Sequence, residues 1–394
     1  MFNQYAYGLG SKKSCIRELF QYGLEQAKKV GRENVFDYSL GNPSIPAPKK
    51  VNETAKSILD NEDPLLVHGY SAAPGFEEVR EAIAKELTER MGMDIKSSNI
   101  FCTCGAAPAL ITIFKALCVT EGKSKVLGIA PFFPEYRPFS EGAGMKYDYV
   151  EADTTSFQIN LPALEKKIDA DTQCVIINTP NNPSGVVFSR QTLEKVAEIL
   201  TRKSKEVGHP IYLIADEPYR ELVYGGVEVP WVPSIYKDTI VAYSYSKSLS
   251  LPGERIGYIC VPDCVTESKD VMSAIAGAAR IIGHVCPPTL FQRIVAQCTH
   301  ERPDLGAYEE NRKLLMEGLR KIGYEFAQPD GAFYLFVKAP GGDGQAFSEK
   351  CKKYNLLVVP SDDFGVKGYF RLSYCVSKET VVNSLPAFEK AFNE

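Results

Sequence analysis

The stretch VAYSYSKSLSLPGERIGYI, residues 241–259, decides how the chain is read. Its first residues, together with Thr239 and Ile240, are β-branched and aromatic, the composition of a buried strand. A lysine, Lys247, then stands among the hydroxyls of Ser244, Ser246 and Ser248, and Arg255 follows eight positions later. A second apolar run, 255–261, begins there. Working outward, similar runs recur at 99–104, 124–130, 145–152, 173–179 and 210–217, with amphipathic segments between them. The segment 190–207 carries Leu193, Val196, Ala197 and Leu200 on one helical face. Continuous apolar strands separated by helices predict an α/β fold with a mostly parallel sheet buried on both faces. The close spacing of 239–245 and 255–261 allows one antiparallel strand.

Beyond residue 290 the texture changes. A polar helix over 303–322 precedes apolar runs at 331–339, 356–361 and 369–375 and a last helix over 377–392. The expected organisation is a large domain over 46–290 and a small α+β domain over 291–394. Residues 1–45 form an N-terminal arm that packs beside the small domain. The length of 394 residues suits two domains.

Composition narrows the function. A net charge of −4 gives no global field for nucleic acid or an acidic membrane. No apolar run reaches membrane-spanning length. The eleven cysteines are odd in number and lack zinc-type spacing, so they read as reduced core residues of a cytoplasmic protein with no metal site.

In open α/β sheets ligands sit beyond the carboxyl ends of the strands. After 99–104 come Gly105, Ala106 and Ala107, a helix start able to take an anion, although a plain turn explains it equally. After 124–130 comes PFFPEY (131–136), whose Phe133 either stacks on a flat ligand or packs in the core. Asn181 and Asn182 follow the third run among prolines, where turn chemistry alone would suffice. Asp216 ends a strand, and a buried carboxylate there asks for a cation. Lys247 is either a surface lysine or a desolvated amine able to form a Schiff base. Together these signals describe an anion cradle, a stacking ring, a carboxylate for a protonated heterocycle and an amine for an aldehyde. Pyridoxal 5′-phosphate presents all four complements. Ser244, Ser246 and the planar fork of Arg255 complete the anion site.

At this point the sequence resembles the fold-type I, class I/II aminotransferases of the aspartate aminotransferase kind. The resemblance rests on SLGNPS (39–44), YSAAPGFEEVR (70–80), NNPSG (181–185), ADEPY (215–219), SYSKSLSLPGERIG (244–257) and FRLSY (370–374), in that order, and spans about residues 35 to 375. It implies that Lys247 carries the cofactor aldehyde as an internal aldimine and shuttles the substrate proton. Asp216 keeps the ring nitrogen protonated, Asn182 and Tyr219 bond the ring hydroxyl, and Phe133 stacks on the ring. Gly105, Ala106, Ala107, Ser244, Ser246 and Arg255 hold the phosphate. Tyr70 reaches the phosphate of a neighbouring subunit, which implies a homodimer with shared sites. Arg371, following a short strand, takes the substrate α-carboxylate with Gly41 and Asn182.

The pattern departs from the family in places. Glu254, not an aromatic residue, precedes Arg255, and Ala107 stands where some aspartate-specific members carry lysine. Arg280 lies near the place of a partner-supplied arginine, although Ile281 aligns with that position itself. Arg280 is the candidate receptor for a side-chain carboxylate, with Arg17 and Arg137 behind it. The expected reaction moves an amino group from an amino acid, a dicarboxylic donor first, to a 2-oxo acid such as 2-oxoglutarate. A C–S β-lyase on the same scaffold and a non-catalytic effector-binding module are the alternatives.

Overall fold

The computed structural model describes residues 1–11 and 15–394. The helix Cys15–Val30 leads to a two-residue strand, β1 (Phe36–Asp37). Seven strands then build the main sheet: β2 (Ile100–Thr103), β3 (Lys125–Ile129), β4 (Lys146–Val150), β5 (Thr172–Asn178), β6 (Tyr212–Asp216), β7 (Thr239–Ser244) and β8 (Gly257–Cys260). Their order across the sheet is β2-β8-β7-β6-β5-β3-β4. Pairings among β3 to β7 are parallel, and β8 runs antiparallel to both of its neighbours. The expected α/β class is observed, and β8 is the antiparallel strand that the close spacing of 239–245 and 255–261 allowed.

Side-chain alternation explains why these runs are apolar throughout. In β5, Val175 and Ile177 enter one core, while Cys174 and Ile176 enter the other. β6 divides likewise, with Leu213 and Ala215 on one face and Tyr212 and Ile214 on the other. Both faces are covered by helices, so Cys174–Ile177 of β5 and Tyr212–Ala215 of β6 are buried whichever face they point to. Each fully buried Val, Leu or Ile side chain contributes about 1.5–3 kcal/mol relative to exposure.

The second sheet comprises β9 (Tyr334–Lys338), β11 (Val359–Pro360) and β12 (Tyr369–Ser373), antiparallel in the order β11-β12-β9. β10 (Leu356–Leu357) pairs in parallel with β1. Tyr38 shares a core with Leu335, Val337, Phe370 and Phe388, so residues just after β1 pack beside the C-terminal region. The helix Thr289–Gln297 is cut by the expected boundary at 290, yet Ile294, Val295 and Cys298 join the core of the large sheet. Among the described residues, no helix is long and apolar enough to cross a membrane.

The chain leaves β3 for β4 on one side of the sheet and returns to β5 on the other. Strand order thus reverses between β3 and β5, where a crevice opens at the carboxyl ends of the strands. Residues that follow β2, β3, β5 and β6 line a cleft there.

Candidate active site

β6 delivers Asp216 as its last residue, buried at 5% exposure. Tyr136 donates its hydroxyl to Asp216 Oδ2 at 2.5 Å, and Oδ1, equally buried, has no hydrogen-bond partner among the described residues. Burial chiefly, with the neighbouring Glu217 charge adding to it and the Tyr136 hydrogen bond opposing it, pushes the carboxyl up to about 7. A carboxylate oxygen held dry and unpaired is costly unless a cationic donor meets it.

Across the sheet Asn178 is the register partner of Asp216. Its amide nitrogen donates to the Asp216 carbonyl at 2.8 Å, and its amide oxygen accepts from the Asn182 N–H at 2.7 Å. One side chain therefore braces both the β6 end and the 181–185 turn. Asn182 is buried, and its Oδ1 accepts from Arg371 Nη1 at 3.1 Å. Tyr219, just beyond Asp216, is also buried and shares a hydroxyl hydrogen bond of 3.0 Å with Tyr334. Burial raises the Tyr219 phenol well above its usual value, so it stays protonated and able to donate.

Lys247 follows β7 in the short helix Tyr245–Ser248, whose cap is Ser244. Its ammonium donates to the Gly41 carbonyl at 2.6 Å and lies 5.4 Å from the centre of the Phe333 ring. Burial foremost, together with the positive charges of Arg255 and Arg371, lowers its pKa to about 8, against an opposing contribution from Cys375. The lowered value moves the amine toward the neutral form that a nucleophile toward a carbonyl requires.

The polar turn beside it gathers donors. Ser244 Oγ and Ser246 Oγ lie 2.7 Å apart, and Arg255 Nη1 lies 3.5 Å from Ser246 Oγ. Gly105 sits against this guanidinium at φ 93°, and a Cβ there would come within 2.7 Å of Arg255 Nη2. Helix Ala106–Leu117 begins immediately after it. The N–H groups of Ala106 and Ala107 precede the first backbone bond, from Ala109 to the Gly105 carbonyl at 3.3 Å, and have no partner within the helix. Helix terminus, serines and arginine together form a cradle for a dianion.

Between the cradle and Asp216 lies a cleft of ≈ 90 Å³ lined by Ala106, Ala107, Phe133, Asn178, Asn182 and Tyr219, among others. Phe133 is half-buried there, edge-on to Tyr136 at 5.7 Å.

Arg371 lies within β12 rather than after a strand, in register with Phe336, and only 2% of it is exposed. Nη2 donates to the Ser39 carbonyl at 2.6 Å, and its buried Nε has no partner among the described residues. The Tyr334 ring lies 4.7 Å from the guanidinium carbon. A buried guanidinium with an unused N–H asks for an anion. Gly41 is close by, where a Cβ would lie 2.0 Å from the Tyr334 hydroxyl.

Tyr70 and Arg280 stand apart from this cluster among the described residues. Tyr70 is 87% exposed. Arg280 is exposed in the last turn of helix Ser268–Ile281, without a polar contact to the cluster. Arg137 pairs loosely with Glu141 at 3.9 Å and lies over the Tyr147 ring, and Arg17 is on helix Cys15–Val30. Four residues that the sequence reading passed over belong to the cluster: Tyr136, Asn178, Phe333 and Tyr334. Asn178 carries a usable signal, since it ends a buried strand just as Asp216 does.

The family model for aminotransferase class I and II matches residues 33–387. The chain belongs to this family. The aromatic-amino-acid aminotransferase 2 of Thermococcus litoralis is 30% identical over 97% of this chain and 96% of its own length. The aspartate aminotransferase of Pyrococcus horikoshii is 30% identical over 96% and 95%. Among solved structures, an aminotransferase from Eubacterium rectale superposes with a TM-score of 0.98 at 50% identity, covering 100% of this chain and 98% of the other. The aspartate aminotransferase of Thermus thermophilus with maleate gives 0.86 at 25% identity, covering 99% of both. The protein is thus a fold-type I aminotransferase, an enzyme that uses pyridoxal 5′-phosphate. Its residues fit that cofactor: the unpaired Asp216 oxygen suits a protonated ring nitrogen, the cradle a phosphate and Lys247 an aldehyde.

Proposed function

We propose that this aminotransferase takes its amino group from a dicarboxylic amino acid of the aspartate type and passes it to a 2-oxo acid such as 2-oxoglutarate, through residues of the cluster just described. The observation that carries the assignment is the Asp216 Oδ1, buried and without a partner among the described residues, in a chain whose part-buried Lys247 has its pKa lowered to about 8. The bound cofactor supplies an aldehyde that condenses with amines and a ring that draws electrons from the substrate Cα. The protein's own groups do the rest. Lys247 would hold the cofactor aldehyde, and its amine would move the proton of the substrate Cα. Asp216, as an anion, holds the proton on the ring nitrogen. Asn182 and Tyr219 donate to the ring hydroxyl, and Phe133 packs against the ring face. Gly105, Ala106, Ala107, Ser244, Ser246 and Arg255 bind the phosphate. Arg371 binds the substrate α-carboxylate as a fork, with the Gly41 loop and Asn182 beside it. A carboxylate entering there would meet the Nε–H that has no partner among the described residues.

A homodimer with shared sites is part of this proposal. Leu65, Tyr70, Ile281 and Val285 are 82%, 87%, 70% and 60% exposed, an unusual set of large apolar groups for a free surface. The two segments are joined near the cradle. Thr289 Oγ1 donates to the Val67 carbonyl at 2.8 Å, and the His284 ring lies 3.2 Å from the Cys102 carbonyl. A second copy covering them would bring Tyr70 to the other copy's phosphate cradle and Arg280 to its substrate. Arg280 would then receive the side-chain carboxylate. The division into a large domain from residue 46, extended to take in the helix Thr289–Gln297, and a small domain joined by the N-terminal arm belongs to the same proposal. So does a cytoplasmic location, in keeping with buried thiols such as Cys174 and Cys260 that pack as small apolar groups.

The test is a donor survey with 2-oxoglutarate as acceptor. Aspartate should rank above aromatic and small neutral donors, and Arg280→Ala should remove that advantage while sparing alanine. A ranking led by aromatic donors, or an Arg280→Ala variant with unchanged aspartate kinetics, would reject the dicarboxylate assignment.

A further inference from the structure

We propose that Tyr136 is a positioning residue for the carboxylate of Asp216, fixing Oδ2 so that Oδ1 alone is left to accept from the ring nitrogen of the cofactor. This inference rests on the reading of Asp216 given above and extends it to a residue outside the aminotransferase motifs.

Tyr136 opens the helix Tyr136–Gly142, three residues after Phe133. One short segment thus furnishes both the ring against the cleft and the hydroxyl against Asp216. The Tyr136 side chain is buried at 1% exposure, and burial and the adjacent carboxylate raise its phenol well above the usual value. It therefore stays protonated, and in the 2.5 Å hydrogen bond the phenol is the donor and Oδ2 the acceptor. The helix start is itself held, since Ser140 Oγ donates to the Tyr136 carbonyl at 2.7 Å.

The groups facing Asp216 divide into two sets. Asn178 grips its backbone carbonyl at 2.8 Å and leaves the carboxylate alone. Glu217, next in sequence, opposes its ionisation, although Glu217 is paired with the buried Arg220 at 2.5 Å. Tyr219 lies nearby, but its hydroxyl is engaged with Tyr334. Tyr136 is the one side chain that donates to the carboxylate among the described residues. Without it the carboxylate can rotate, present either oxygen and lose the donor that favours its charged form. Tyr136 touches neither cofactor nor substrate in this account. It acts through Asp216.

The effect should therefore appear only when the ligand has a ring nitrogen for Asp216 to meet. The experiment measures dissociation constants for pyridoxal 5′-phosphate and for its 1-deaza analogue, in which the ring nitrogen is replaced by CH. Wild type, Tyr136→Phe and Ser140→Ala are compared as full-length proteins. Tyr136→Phe should weaken pyridoxal 5′-phosphate by roughly tenfold or more, the scale of losing one hydrogen bond to a charged acceptor. The same variant should change the analogue by no more than about twofold, within the range of a neutral substitution. Ser140→Ala disturbs the same helix without touching Asp216 and should leave both constants within about twofold. Equal losses for both ligands in Tyr136→Phe, or no loss for either, would overturn the positioning role and leave Tyr136 as packing. A wild type that binds both ligands equally would instead overturn the reading of Asp216 itself, and with it the proposal.

Discussion

Replacing Asp216 by Asn should stabilise the ligand-free protein, by an amount that depends on pH. The carboxyl is pushed from 3.8 to about 7 because it is buried with one oxygen unpaired. Unfolded chains release this proton near 3.8, so between that value and 7 the folded state binds the extra proton. Stability then falls as pH rises through this window and levels off above it. Each unit of displacement is worth ~1.4 kcal/mol, so the full displacement amounts to about 4 kcal/mol above pH 7. Asparagine is neutral throughout and can still accept from Tyr136. The advantage of Asp216→Asn should therefore grow by about 2–3 kcal/mol between pH 5 and pH 8, most of it before pH 7. Urea unfolding of both ligand-free proteins across that range measures it. With pyridoxal 5′-phosphate added, the order should reverse, because the cofactor gives Asp216 its cation and stabilises the wild type more than the variant. A stability difference that stays flat from pH 5 to pH 8, or an Asn variant less stable than wild type without ligand at pH 8, would refute the reasoning. The residue would then not be an anion waiting for a partner.

Three further outcomes are expected. Arg371→Lys keeps the charge but loses the planar fork, and should lower kcat/KM for amino donors by roughly a hundredfold, about 3 kcal/mol, while the affinity for pyridoxal 5′-phosphate is unchanged. A loss confined to cofactor binding would place Arg371 elsewhere. Gly105→Ala puts a Cβ 2.7 Å from Arg255 Nη2 at φ 93°, and should weaken the phosphate-bearing cofactor while leaving pyridoxal, which has no phosphate, bound about as before. Equal weakening of both compounds would show that the substitution harms the fold instead. Tyr70→Phe combined in one solution with Lys247→Ala tests sharing between subunits. Mixed dimers should keep one wild-type Tyr70–Lys247 combination, and activity should rise above the sum of the separate variants. Strict additivity would contradict shared sites.

Much of the fold was legible because parallel strands covered on both faces are apolar over most of their length. The run 173–179 announces a strand found at Thr172–Asn178, and the run 210–217 one found at Tyr212–Asp216. Asp216 drew notice at a strand end because a buried carboxylate needs a partner, whereas Lys247 alone also allowed a surface lysine. Other features depend on register between distant segments. Tyr136 is one more aromatic in PFFPEY until the folded chain brings it to Asp216, eighty residues away. Asn178 matters because it is the register partner of Asp216, a long-range fact. Arg371 reads as following a strand because the run 369–375 is short, yet β12 extends through Ser373 and points the arginine inward to Asn182. Residue 290 reads as a boundary because the texture of the sequence changes there, and the helix Thr289–Gln297 that spans it sends Ile294 and Val295 into the core of the large sheet.

The central claim is that Lys247 and Asp216 together make this chain a cofactor-bearing transaminase centre. It is tested most directly by the visible spectrum of the protein loaded with pyridoxal 5′-phosphate, recorded during titration with one amino acid in the absence of any oxo acid. The lysine-bound cofactor band should give way to that of the aminated cofactor and return on adding 2-oxoglutarate, and Lys247→Ala should form neither the initial band nor the cycle. An initial band that survives Lys247→Ala, or one that no amino acid converts in the wild type, would contradict the account.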